Sequence, residues 1–229
     1  MKTILVIISA NAEWRVVRAF YPHAAVENTP FGEFLELELA GNRVVMLQGG
    51  WGKISAAASA QYGISHWGPD LVLNLGTCGG FEGRIQRGTI ILVEKTIVYD
   101  IFEQMGDAAE ALEFYSTSLD LSFIRKPYPQ AVQKGLLVSA DRDIIPADIP
   151  GLVEKYAAVA ADWESGAIAW VCARTQRPCL ILRAVTDLVS IQGGEAYGTL
   201  AFFQQATQEV ISAMFAALPG WIKCALPAE

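Results

Sequence analysis

Two carboxylates sit where α/β proteins build sites. Glu164 opens the run Glu164-Ser165-Gly166-Ala167-Ile168-Ala169-Trp170-Val171-Cys172, whose small and apolar residues at helical spacing describe a tightly packed helix with a carboxylate at its mouth. A helix dipole stabilises such a charge by only about 0.3–1 kcal/mol. Ser165 could cap the helix as well, and burial beside Trp163 and Trp170 would penalise the charge. Taken alone, Glu164 is a helix-start residue. Downstream, however, Cys179-Leu180-Ile181-Leu182-Arg183-Ala184-Val185-Thr186-Asp187 reads as a buried strand that stops at Thr186-Asp187. Helix, short loop, then a strand delivering a carboxylate at its carboxyl end is an arrangement that can perform acid–base chemistry.

The elements that must position these acids follow from patterning along the chain. Residues 3–9 predict a first strand and 12–20 a helix carrying Glu13 in its first turn. Met1-Lys2 before an apolar run also resembles a short signal peptide, but the run is at the short limit and a helical segment follows at once, which favours a buried strand. Phe34–Leu39 alternates, Gly41-Asn42 turns and Val44–Leu47 returns, a β-hairpin that implies a mixed sheet. Gly49-Gly50-Trp51-Gly52-Lys53 leads into a helix over 53–64. The strand Leu71–Leu75 then ends in a loop, Gly76-Thr77-Cys78-Gly79-Gly80. Neither Gly-rich segment has the spacing of a Walker loop or a dinucleotide fingerprint; each is a tight turn or a backbone cradle for a small ligand. Residues 88–99 read as a strand pair, 101–127 as a long loop with short helices of the kind that covers a site or packs on a partner subunit, and 136–140 as a strand. Helix 151–157, strand 157–161, a loop over 190–198 and a closing helix over about 199–217 complete the chain.

Composition narrows the class. With 229 residues, 52% hydrophobic and 18% charged, the chain can bury a large core and is expected to form one domain over 1–229. A net charge of −7, with Lys and Arg scattered, argues against a nucleic-acid partner. No apolar segment approaches the roughly 18–20 residues of a membrane span. Cys78, Cys172 and Cys179 lie in apolar or Gly-rich segments and no CxxC pair occurs, which fits reduced thiols in a cytoplasmic protein. With His23 and His66 as the only histidines, no structural zinc is expected, and no cofactor or other metal.

Taken together, Gly49–Lys53, Asn74–Gly80, Val138–Asp141, Asp162–Ser165 and Arg183–Asp187 occur in the order and spacing of the purine nucleoside phosphorylase / uridine phosphorylase superfamily. Over nearly the whole length the chain resembles its methylthioadenosine / S-adenosylhomocysteine nucleosidase branch. The resemblance implies a single three-layer α/β/α domain with a mixed central sheet, a purine nucleoside as substrate and a homodimer. It also implies cleavage of an N-ribosidic bond, which passes through a cationic sugar and needs a protonated leaving base and a nucleophile. On this resemblance Glu164 is the ribose ligand and Asp187 the general acid at purine N7, with a pKa raised by burial among Val185, Leu188 and Val189. Glu13 is the base that activates water. A one-residue shift would put Trp14 in that place and leave the site without a base. Thr77, Trp51, Ile144 and Trp163 complete the substrate contacts the resemblance implies.

Water or phosphate as nucleophile is decided by cations. Phosphorylases of this superfamily hold phosphate with arginines, one of them on the strand entering the Gly-rich segment, and here Leu73-Asn74-Leu75 carries none. Arg183 is expected as a buried ion-pair partner, whereas Arg43, Arg84 or Arg87 could reach a site from a loop. Trp51 and Asp143 depart from the family, in which a smaller aliphatic residue and a base-stacking Phe stand. A wide wall at Trp51 would suit a flat 5′-group of the futalosine type or a plain nucleoside. A phosphorylase, and a nucleoside-binding protein with weak catalysis, remain open.

Overall fold

The computed structural model describes residues 1–226. Strand β1 (Thr3–Ile8) is apolar from Ile4 onward because both its faces are covered. Ile4, Val6 and Ile8 point into one core cluster, Leu5 and Ile7 into the other. It runs parallel to β4 (Asn42–Gln48) on one side and to β5 (Leu71–Phe81) on the other. Beyond β4 the sheet continues antiparallel through β3 (Glu33–Leu39) to β2 (Val26–Asn28), so the expected hairpin forms one wing of a mixed sheet. On the other side five strands close a ring. Strand β5 pairs parallel with β10 (Cys179–Ser190), which pairs antiparallel with β6 (Ile90–Val98). From β6 the ring passes parallel to β8 (Gln133–Ser139), parallel to β9 (Ala158–Asp162) and antiparallel back to β5. Short β7 (Ser116–Ser118) and β11 (Gly193–Gly194) flank β6 and β10.

Helices cover both faces, giving the expected α/β/α layering. On one face α1 (Asn11–Phe20) and α6 (Leu200–Ala225) bury Trp14, Val17, Ile211, Phe215 and Trp221. On the other, α2 (Gly52–Trp67) and α5 (Ser165–Arg174) press Ala56, Ala60, Ala167 and Ile168 onto the sheet. Small residues suit both, because each lies close against the strands. Shorter α3 (Ala108–Phe114) and α4 (Ile149–Tyr156) border the ring, with α3 and β7 giving order to the segment expected to be mostly loop.

Several boundaries differ from expectation for physical reasons. The Gly-rich segment after Leu75 is strand, not loop. Gly76 through Gly80 pair with Arg183 through Leu188, and Gly79 and Gly80 pair also with β9. Likewise β10 does not stop at Asp187; a bulge between Val185 and Asp187 lets it continue to Ser190. Residues 90–98 form one strand rather than two, with a bulge between Val93 and Lys95. The last helix runs past Pro219 to Ala225 because Trp221 and Ile222 are core residues. Among the described residues no helix is long and apolar enough to cross a membrane.

Candidate active site

Glu13 enters the site because β1 runs straight into α1. Ala10 caps the helix, and Glu13, at the third helical position, turns its carboxylate back toward the cap, where Oε2 accepts the Ala10 N–H at 3.0 Å. Its other oxygen accepts the backbone N–H of Thr77 at 2.6 Å and the Thr77 hydroxyl at 2.8 Å. Trp14 faces away: its ring is buried in the core and its Nε1 donates to Glu33 at 2.7 Å. Glu13, and not Trp14, therefore borders the cavity. Gly76 makes this approach possible, since a Cβ there would lie 1.9 Å from Arg183 Nη1 and 2.9 Å from Glu13 Oε1.

Glu164 is the N-cap residue of α5, yet its side chain does not cap. Instead Oε1 accepts the backbone N–H of Gly52, the first of α2, at 3.1 Å. Its own helix is capped by Asp162, which accepts the N–H of Ser165 at 3.1 Å. The Glu164 carboxyl is pushed up to about 8, by burial first and by the Asp162 charge second, against the pull of Arg183. Arg183, 1% exposed, lies beneath as the counterion: its Nε is 2.9 Å from Asp162 and its Nη2 donates to Asn74 at 2.8 Å. It is the ion-pair partner expected.

Asp187 sits at the β10 bulge, which leaves Thr186 free to donate its hydroxyl to Asp187 at 2.8 Å. Burial raises the Asp187 carboxyl, and the neighbouring Glu195 and Asp143 charges raise it further. Both Asp187 and Glu164 are thus biased toward the protonated acid, by different neighbours.

These groups line one cavity of about 770 Å³, together with Trp51, Thr77, Ile144 and Trp163. Every residue expected at the site borders it. Trp51 stands at the mouth, 61% exposed, whereas Ile144 is buried. Tyr197, Leu200 and Phe203 are among the lining residues that were not expected. Tyr197 donates its hydroxyl to the Ile144 carbonyl at 2.7 Å and so ties the loop after β10 to the loop after β8. Leu200 and Phe203, on the first turns of α6, form an apolar wall. A Pro- or Gly-flanked loop shows nothing of such a tie in sequence. Asp143 lines the cavity as well, where an aromatic base wall is usual in the family resembled.

The one cationic lining residue among those described, Arg142, is paired with Asp148 at 2.8 Å. Arg43 pairs with Glu36 on the hairpin, and Arg87 lies 3.7 Å from Glu195. Among the described residues no group of three His, Cys, Asp or Glu is placed to hold a metal ion.

This sheet and this cavity define a nucleoside phosphorylase-like α/β protein. A model of the phosphorylase superfamily matches residues 4–220, and the chain belongs to that superfamily. It is 25% identical over 206 residues to the 5′-methylthioadenosine/S-adenosylhomocysteine nucleosidase of Bacillus thuringiensis (strain Al Hakam), covering 85% of this chain and 89% of that one. The enzyme of that name from Neisseria meningitidis, solved in complex with methylthio-immucillin-A, superposes with a TM-score of 0.78 at 23% identity, covering 97% and 99% of the two chains. A futalosine hydrolase mutant of Helicobacter pylori shares the fold at a TM-score of 0.73 and 15% identity, covering 95% and 99%.

Proposed function

We propose that the chain is an N-ribosyl hydrolase that splits the N-glycosidic bond of a purine nucleoside, as the names of its relatives state for methylthioadenosine and S-adenosylhomocysteine. The observation that carries this is the placing of Glu13, Glu164 and Asp187 around one cavity in three different environments. Asp187, raised by burial, donates its proton to N7 of the base as the bond from N9 to C1′ breaks. Water adds to C1′ from the side of Glu13, whose carboxylate, aligned by Thr77 and the Ala10 N–H, takes the water proton. Glu164 accepts hydrogen bonds from the ribose hydroxyls, and these strengthen as positive charge develops on the sugar. Thr77, Trp51, Ile144 and Trp163 contact the substrate.

Water is favoured over phosphate because the cavity wall is acidic and Arg142 is already paired. Large apolar side chains are exposed at Trp51 and Ile54 and at Phe102 and Met105, on two segments joined by the Lys53–Asp100 ion pair, which supports a homodimer. A single domain and a cytoplasmic location, consistent with three buried free cysteines, complete the proposal. Trp51 at the mouth favours, as a second reading, a flat 5′-substituent of the futalosine type.

Product analysis tests both readings, using methylthioadenosine, S-adenosylhomocysteine, adenosine, inosine and futalosine-type nucleosides with and without phosphate. Free base and reducing sugar, formed independently of phosphate, are expected. Ribose 1-phosphate would establish a phosphorylase instead, and purine-dependent thermal stabilisation with no base release would leave a binding protein.

A further inference from the structure

Three parallel neighbours of the ring end in register. Val98 of β6 pairs with Ser139 of β8, and Ser139 with Asp162 of β9. Two residues beyond each pairing position stands a carboxylate: Asp100, Asp141 and Glu164. All three meet the first turn of α2. Glu164 accepts the Gly52 N–H at 3.1 Å, Asp141 accepts the Lys53 N–H at 2.7 Å, and the Lys53 ammonium is held by Asp100 with Asp141 at 3.7 Å. Asp141 in turn donates its own N–H to Asp100 at 3.0 Å. Gly52 has a φ of 77°, and a Cβ on it would lie 2.8 Å from Asp141 Oδ1, so the carboxylate lies close beside the residue whose N–H serves Glu164. Asp100, Asp141 and Lys53 do not border the cavity.

We propose that Asp141, with Lys53 and Asp100, is a positioning device that clamps the α2 N-terminus so that the Gly52 N–H stays directed at Glu164, and thereby sets the state in which Glu164 meets the ribose. The functional half of this statement rests on the ribose-binding role proposed for Glu164. The Gly52 N–H favours the ionised carboxylate, alongside Arg183 of β10, and opposes the charges of Asp162 on β9 and Glu13 on α1. Releasing the clamp removes a favourable partner and leaves the opposing ones in place.

The test compares Asp141→Ala and Asp141→Asn with the wild-type chain by two readouts. Carbon-13 carboxyl titration, with the Glu164 signal identified by its loss in Glu164→Gln, should move upward by about one pH unit in Asp141→Ala. It should return toward the wild-type value in Asp141→Asn, whose Oδ1 still accepts the Lys53 N–H. In steady-state cleavage of the best nucleoside, Asp141→Ala should raise KM about tenfold near pH 7, change kcat less than about threefold, and shift the acid limb of kcat/KM upward with the titration. An unmoved Glu164 titration in a folded Asp141→Ala variant overturns the clamp. Equal effects in Ala and Asn variants overturn it also. A shifted titration in a protein that cleaves no nucleoside keeps the clamp and sinks the proposed activity instead.

Discussion

Glu164→Gln should remove a pH dependence of stability that the wild-type chain carries. The folded chain raises this carboxyl from 4.5 to about 8, chiefly through burial and the Asp162 charge. A carboxyl raised by folding holds its proton more tightly in the folded state than in the unfolded one. The stability contributed is therefore complete below about pH 4.5 and is lost progressively as the pH rises through about 8. Each pH unit inside that window removes up to about 1.4 kcal/mol, so the full descent is at most about 5 kcal/mol. Glutamine keeps the shape and can still accept the Gly52 N–H, but it has no proton to lose. Urea unfolding of both proteins at pH 5, 6, 7 and 8 and constant ionic strength measures the difference, from which titrations common to both cancel. Wild type should match or exceed the variant at pH 5 and fall below it by several kcal/mol at pH 8. Curves that stay parallel across that range refute a proton-holding carboxyl at Glu164, whatever the enzyme proves to cleave.

Glu13→Gln removes the proton acceptor with little change of shape, and single-turnover base release should fall by about 10²–10⁴-fold while calorimetric affinity for the nucleoside is retained. Glu195→Gln and Asp143→Asn each remove a charge that holds the Asp187 proton on, so the alkaline limb of kcat/KM should move to lower pH, further for Glu195 than for Asp143. Arg183→Met leaves Asp162 buried without its cation and should destabilise the fold by about 3–5 kcal/mol in urea unfolding at pH 7.

The order of strands and helices was legible because apolar runs and helical spacing are local signals. Thr3–Ile8 reads as a strand from its own composition, and Glu164 is marked by the small residues that follow it. What was not legible depends on contacts between distant segments. Glycines at 76, 79 and 80 signal a turn by propensity, yet here they are small so that Arg183, Ile144 and Val185 can approach the strand. The tie from Tyr197 to Ile144 spans more than fifty residues of chain, and no periodicity encodes it. Spacing could not say whether Glu13 or Trp14 faces the cavity, but the core buries the indole and leaves the carboxylate directed to Thr77. The row of Asp100, Asp141 and Glu164 exists only because three strands align in register.

The buried charges explain why the acids divide their work. Around the single guanidinium of Arg183 stand Asp162, Glu13 and Glu164, three carboxyls to one cation. Asp162 takes the ion pair at 2.9 Å and two serine hydroxyls besides, and Glu13 takes three donors from Ala10 and Thr77. Among the described residues Glu164 is left with one backbone N–H, and its carboxyl is pushed up to about 8. In the proposed reaction a sugar becoming positive beside it supplies the missing charge, and the hydroxyls of the same sugar supply the missing donors. On the proposed role of Glu164 the site is short of positive charge in its ground state and complete only when the ribose carries it, which is the differential stabilisation that lowers a barrier rather than merely binding a substrate.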